Sequence, residues 1–216
     1  MKEAAIVILN YNGETMLRQY LPQVIGNSVF EIVVVDNGSK DGSIAFLQKD
    51  FPNVSLILLK ENHGYSKGYN LGLEELKGKF SYYLLLNSDV EVTPGWDRAM
   101  VDCLSEKPAV AACQPKVLSL SHKGYFDYAG AAGGFLDQLG YPYCRGRVLH
   151  LLEEDQGQYN DSIELDWASG ACFCVKAPLF HQLGGFNPYF FSHMEEIDLC
   201  WRMRNEGYKI HYCEQS

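Results

Sequence analysis

Tyr82-Tyr83-Leu84-Leu85-Leu86-Asn87-Ser88-Asp89 is the stretch whose reading decides the fold. Five apolar residues run without a break and stop at Asn87 and Asp89. A short apolar run with no helical spacing reads as a strand buried on both faces, as in a parallel sheet. Ligands of such sheets sit just beyond the carboxyl ends of the strands. A carboxylate there, Asp89, suits a hard metal ion. Asn and Asp also turn chains with no ligand involved, so this stretch alone does not choose between the two.

Upstream, the same pattern occurs three more times. Ala4–Leu9, Glu31–Val35 and Val54–Leu59 read as buried strands, with helices expected at about Glu14–Val24, from Asp41-Gly42-Ser43 to Lys49, and at Ser66–Leu76. Pro22 is expected to interrupt or end the first helix. Tyr69, Leu73 and Leu76 share one face of the third, while Gly64, Gly68 and Gly72 leave one side bare for a close approach. Strands alternating with helices at this spacing predict a parallel, doubly wound α/β sheet. All four strands end in small polar residues: Asn10 and Asn12, Asp36 and Asn37, Asn62, and Asn87 with Asp89. One cleft at one sheet edge accounts for all of them with a single cause.

Downstream, Trp96–Leu104 reads as a helix and Ala109–Cys113 as a strand. Residues 119–165 are rich in Gly, Tyr and charge, which predicts long loops and short antiparallel strands that carry substrate contacts. A strand at Cys172–Val175 would put Cys172 and Cys174 on one face. A helix opens near His193 and closes at Gly207, and Lys209–Cys213 is a last strand holding His211 as a structural residue. Glu195, Glu196 and Asp198 crowd the first turn of that helix. Acids there suit the helix dipole, but three are more than it needs, and one facing the cleft could serve as a general base.

With 47% hydrophobic and 21% charged residues, the 216-residue chain can fill the core of one large domain. Its net charge of −9 argues against nucleic-acid binding. Seven cysteines without a regular framework read as reduced, buried thiols of a cytoplasmic protein. No signal peptide or transmembrane stretch is legible. The G-x-G-x-x-G cluster and the P-loop are both absent.

The segments Asn10-Tyr11-Asn12-Gly13, Val34–Ser43, Asn62–Asn70, Leu86–Asp89, Trp167–Ala171, Gly184-Gly185-Phe186 and Glu195–Leu199 together resemble family 2 glycosyltransferases. The likeness is strongest to the rhamnosyltransferase-type branch and covers nearly the whole chain. It implies an inverting, metal-dependent hexosyltransferase of the GT-A fold, Rossmann-like, with a mostly parallel sheet and a smaller mixed or antiparallel C-terminal part. A nucleotide-binding half at about 1–115 and an acceptor half at about 116–216 would form one domain. The nucleotide would meet Asn10, Tyr11, Asn12, Asp36, Asn37 and Gly38, with Tyr11 on the base and Asp36 bonding base or ribose. Lys67 and Asn70 would border the diphosphate or sugar, and Asn87-Ser88-Asp89 stands in the place of the family's D-x-D motif, with Asn87 and Ser88 meeting the nucleotide and Asp89 holding Mg²⁺ or Mn²⁺. Trp167, Ser169 and Gly170 would line the sugar and acceptor pocket. Glu195 and Glu196 stand where the family has Glu-Asp, and the second position is the base. Asn87 departs from the family's Asp and implies weaker metal binding. Glu196 adds a methylene, which leaves the choice between Glu195 and Glu196 open.

The implied donor is a UDP- or dTDP-sugar. The implied acceptor is a hydroxyl of a surface polysaccharide or lipid-linked glycan, with peripheral membrane association of the full-length protein at the inner face. A non-catalytic nucleotide-sugar-binding module is the rival, with a sugar nucleotidyltransferase third. Family members continue beyond the position of Cys213, with a further His that often completes the metal site. A chain ending at Ser216 is therefore expected to fold but to turn over poorly.

Overall fold

The computed structural model describes residues 1–216. In chain order the first half comprises β1 (Lys2–Asn10), α1 (Glu14–Asn27), β2 (Glu31–Asp36), α2 (Ser43–Asp50), β3 (Ser55–Leu58), α3 (Gly64–Glu74), β4 (Phe80–Leu86), α4 (Trp96–Ser105) and β5 (Val110–Pro115). The second half comprises β6 (Gly134–Leu136), β7 (Pro142–Cys144), β8 (Arg147–Val148), β9 (Leu151–Leu152), β10 (Glu164–Leu165), β11 (Cys172–Lys176), α5 (Ala177–Gln182), α6 (Glu195–Asn205) and β12 (Lys209–Cys213). Eight strands form one sheet in the order β10-β12-β5-β11-β4-β1-β2-β3. β3, β2, β1 and β4 are mutually parallel, whereas β11 is antiparallel to both its neighbours, β4 and β5. Because β11 comes from the second half and lies between two strands of the first, both halves share one sheet.

The unbroken apolar run of β4 has a simple cause. Tyr83 and Leu85 face one helical layer and Leu84 and Leu86 the other, so from Tyr83 onward no position along the strand meets water. The first layer packs Tyr69 and Leu73 of α3, Phe180 of α5 and Leu199 and Met203 of α6. The second packs Leu17 and Leu21 of α1, Phe46 of α2 and Met100 and Leu104 of α4. All seven cysteines are free and buried. Cys172 and Cys174 do share a face, together with Cys103, Cys113 and Cys213.

The structure corrects several expectations. α1 runs through Pro22 to Asn27. The bond that Pro22 cannot make would go to the Arg18 carbonyl, and both residues are exposed, so water replaces it at little cost. α3 starts two residues earlier than expected, at Gly64, whose φ of +75° suits glycine. Its bare side is filled by the protein itself: a Cβ on Gly72 would lie 2.5 Å from Val35 Cγ2, and one on Gly68 would lie 3.1 Å from Leu9 Cδ1. The short helix α5, with Pro178 in its first turn, was not foreseen. No helix is long and apolar enough to cross a membrane.

Candidate functional site

The parallel strands β1, β2, β3 and β4 deliver their carboxyl-terminal loops to one edge of the sheet, and the first three loops are stitched together there. Asn10 Nδ2 donates to Asp36 Oδ2 (2.9 Å) and Ser39 Oγ (3.1 Å), and the Asn12 amide also donates to Ser39 Oγ (2.9 Å). Asn12 Oδ1 accepts from the Lys40 amide (2.7 Å). Asn12 itself is left-handed, at φ 50°, which Asn tolerates better than most residues. Asn37 is wholly occupied: Nδ2 donates to Asn62 Oδ1 and the Gly64 carbonyl (both 3.0 Å), and Oδ1 accepts from the His63 amide (3.0 Å). Gly38 has φ 78°, and a Cβ there would lie 2.6 Å from the Glu61 backbone.

This stitching changes how individual residues sit. Asp36 has no exposed surface, and its second oxygen accepts from the Ser39 amide (2.8 Å). Each of its oxygens is thus engaged once by the protein, below the surface of the sheet edge. Asn70 is likewise turned inward, clamping the Phe186 backbone through Nδ2 to its carbonyl (2.7 Å) and Oδ1 from its amide (2.9 Å). Its amide group is spent on that backbone. Tyr11 and Lys67 are exposed and available. Asn10 Oδ1 is buried with no partner, in the space that Gly13 leaves beside it. At the end of β4, Asn87 and Ser88 are half-buried and Asp89 is exposed. Asn87 and Asp89 open onto a cavity of about 440 Å³, whose other polar lining includes Lys116 and Asp127.

The first turn of α6 lies by the start of α3. Glu195 is buried, Glu196 half-buried, and one carboxylate oxygen of each has no partner. Burial first, and the charge of Glu196 second, push the Glu195 carboxyl up to about 7. Burial also raises Glu196. The residues just before them, His193 and Met194, are both left-handed at φ 72° and 74°. The strap that carries them is docked on α3, where the Tyr65 amide donates to the Phe191 carbonyl (3.0 Å) and Ser66 Oγ donates to the Phe190 carbonyl. The ring of Phe191 fills the space above Gly64. The Tyr65 hydroxyl donates to the Gly170 carbonyl (2.9 Å), and a Cβ on Gly170 would lie 3.2 Å from that hydroxyl and 3.6 Å from Glu196 Oε1. Tyr65, Gly170 and Glu196 therefore form one cluster.

A family model described as "Glycosyl transferase family 2" matches residues 5–142. The chain belongs to that family. Over 218 residues it is 27% identical to the low-salt glycan biosynthesis hexosyltransferase Agl10 of Haloferax volcanii, covering 99% of this chain and 66% of that protein. Over 219 residues it is 26% identical to the N-acetylglucosaminyl-diphospho-decaprenol L-rhamnosyltransferase of Mycobacterium tuberculosis, covering 94% and 71%. Among solved structures, GalNAc-T7 with UDP, GalNAc and Mn²⁺ superposes with a TM-score of 0.74 at 15% identity, over 99% of this chain and 42% of that one. The mannosyltransferase PcManGT of Pyrobaculum calidifontis, in complex with GDP-Man and Mn²⁺, gives 0.69 at 16%, over 99% and 55%. The fold is GT-A. The chain spans about two thirds of the first curated relative and about half of these solved chains.

Within this family 2 fold, the expected site residues fall into two groups. Asn10, Tyr11, Asn12, Lys67, Asn87, Ser88, Asp89, Gly170, Glu195 and Glu196 keep surface or unpartnered atoms at the sheet edge. The others are committed to the protein. Asp198 is held by Arg202, which reaches its Oδ2 from Nε (2.9 Å) and from a terminal nitrogen (2.7 Å). Trp167 Nε1 donates to the Phe135 carbonyl (2.9 Å), and Ser169 Oγ donates to the Ala129 carbonyl (2.9 Å). Asp198, Trp167 and Ser169 therefore shape walls. Two contributors were not foreseen. Ser39 joins the first two loops, and Tyr65 joins α3 to Gly170; both lie in segments carrying the family resemblance, but nothing local marks their partners.

Proposed function

We propose that this chain transfers a sugar from a UDP- or dTDP-linked donor to a hydroxyl of a glycan or lipid-linked acceptor, with inversion at the anomeric carbon. The observation that carries the reading is the pair Glu195 and Glu196, two adjoining carboxyls with raised proton affinity and one free buried oxygen each. Such environments make a carboxylate an effective base near neutral pH. The names of the Haloferax and Mycobacterium relatives, a hexosyltransferase and a rhamnosyltransferase, support glycosyl transfer.

Glu196 takes the proton of the acceptor hydroxyl as its oxygen attacks the anomeric carbon. The bond from that carbon to the diphosphate oxygen breaks, and its electron pair leaves with the nucleotide. Glu195, kept protonated below about pH 7, removes a competing negative charge from beside the base. Gly170, with no side chain, leaves room for the acceptor beside Glu196, and Tyr65 fixes the Gly170 backbone.

No three His, Cys, Asp or Glu side chains lie close enough to form a metal site of their own. Asp89 and Asn87 are hard oxygen donors, which fits a divalent ion completed by donor phosphates and water. They would hold Mg²⁺ or Mn²⁺, and when bound the ion supplies neutralisation of the leaving diphosphate. Tyr11 remains available to stack on the base.

Glu196→Gln tests the assignment. Transfer should fall roughly 10²–10⁴-fold, while calorimetry shows UDP or dTDP binding unchanged. Normal transfer by this variant, or ADP bound as tightly as the pyrimidine nucleotides, defeats the reading.

A further inference from the structure

Five of the seven buried thiols form one belt on the face of the sheet that α4 covers. Its inner end lies on β11 and β5. Cys172 Sγ is 3.7 Å from Met100 Sδ, Cys174 is the register partner of Cys113, and Cys113 Sγ donates to the Met100 carbonyl (3.6 Å). At its outer end, Cys103 in the last turn of α4 sits over β5 and β12. There its sulfur hydrogen-bonds with those of both Cys113 and Cys213. Three thiols from three elements thus meet at one point. As packing, a cysteine is only a small apolar residue; its reactivity is what sets it apart from one.

Access separates the members. Cys113 and Cys174 have no exposed surface and Cys172 keeps 3%, whereas Cys103 keeps 9% and Cys213 4%. Cys103 is also the member placed to react. Hydrogen bonds from Cys113 and Cys213, with Lys107 and His211 nearby, hold its thiol below the usual range, and the thiolate is the form that oxidants attack. Cys213 is pushed the other way, first by its bond to Cys103 and then by burial. For Cys113 burial comes first. Once Cys103 is oxidised and uncharged, the main restraint on Cys213 is gone, while that on Cys113 stays. Cys213 is therefore the thiol that follows.

We propose that Cys103 and Cys213 form a disulfide on exposure to a peroxide, as a reversible tie between α4 and the end of β12. The Cys103 sulfur attacks one peroxide oxygen: an S–O bond forms, the O–O bond breaks, and the leaving hydroxide takes up a proton as water. The Cys213 sulfur then attacks the Cys103 sulfur. An S–S bond forms, the S–O bond breaks, and a second water leaves with the Cys213 proton. Two thiols are oxidised and one peroxide is reduced to two waters. The position of the tie gives it a consequence. α4 begins at Trp96, and Cys213 stands three residues before Ser216; Trp96 and Ser216 both line the cavity onto which Asn87 and Asp89 open. The bond would fasten those two walls to each other. Its formation is measured without any transfer reaction, so it stands or falls apart from the reading of the site.

The test compares the full chain reduced with dithiothreitol and the same chain treated with a slight excess of hydrogen peroxide. The intact mass should fall by two hydrogens, and a non-reducing peptide map should show Cys103 joined to Cys213. Closing so long a loop restricts the unfolded chain, so the thermal midpoint should rise by about 5 °C or more and return on reduction. Cys213→Ser should lose the bond and the rise together and gain oxygen at Cys103. Cys144→Ser, outside the belt, should keep both. If Cys213→Ser does not fold, the wild-type map decides. A map joining Cys113 to Cys174 or to Cys103, a bond between two copies of the chain, or oxygen added to the wild type with no bond formed overturns the proposal. So does an unchanged or lowered midpoint, since the bond then forms only by distorting the fold.

Discussion

The loops after β1, β2 and β3 and the first turn of α6 both lie by the start of α3, and they use their polar side chains in opposite ways. In the loops nearly every donor and acceptor is spent on the protein: Asn37 makes three hydrogen bonds, and Asp36 has both oxygens occupied. On α6, Glu195 and Glu196 each keep a buried oxygen without a partner, behind two left-handed residues. Burying an unpartnered polar group costs free energy, so the second region is held against its own preference by the strap docked on α3. The loops supply shape. The helix end supplies reactivity, and substitutions in the two regions should fail in different ways.

The largest expected effect tests the spent side. Asn70→Ala strands the amide and carbonyl of Phe186, and should cost roughly 2–4 kcal/mol of stability. The denaturant midpoint should fall with an unchanged slope, while the nucleotide affinity of the folded fraction is kept. A stable Asn70→Ala protein that has lost nucleotide binding would break the comparison, because Asn70 would then face the ligand.

A somewhat smaller effect tests how closely the loops' helix is seated. Gly72→Ala puts a methyl 2.5 Å from Val35 Cγ2, with the rest of the Val35 side chain just behind it. Over-packing of this kind costs roughly 1–3 kcal/mol. Since α3 also carries Tyr65 and Ser66, which hold Gly170 and the strap, transfer should fall by more than the loss of folded protein explains. Loss of stability with unchanged specific activity would show that α3 can shift without disturbing Glu196.

Much of this was legible in the sequence because it depends on neighbours in the chain. The β4 run, the polar residues closing each parallel strand and the acids at the start of α6 are local patterns with local causes. The committed or free state of each polar group is not local. Tyr65 and Gly170 are 105 residues apart, and Asn70 and Phe186 are 116 apart. Asp36 and Asn70 therefore read as ligand contacts by type and position, although the fold turns both inward. The course of α1 past Pro22 was hidden for a related reason, since the cost of a proline depends on whether the freed carbonyl faces water.

The smallest expected effect sharpens the unspent side, through pH. Burial raises the Glu195 carboxyl from an ordinary 4.5 to about 7, so between those values the folded chain holds a proton that the unfolded chain has released. Stability is then fully present below about pH 4.5 and declines as pH rises through 7, the reverse of a salt-bridged carboxylate. At 1.36 kcal/mol per unit, and discounted for the nearby solvent, the loss by pH 8 is on the order of 1–2 kcal/mol. Glu195→Gln keeps the shape and removes the titration, so its unfolding free energy should be flatter from pH 5 to 8 and exceed the wild type's at the upper end. Because Glu195 is already uncharged below about pH 7, the same variant should leave the acid limb of the transfer rate where it is. A wild-type stability that rises with pH across this window would mean that Glu195 is paired in solution and that its free oxygen is not a feature of the working protein.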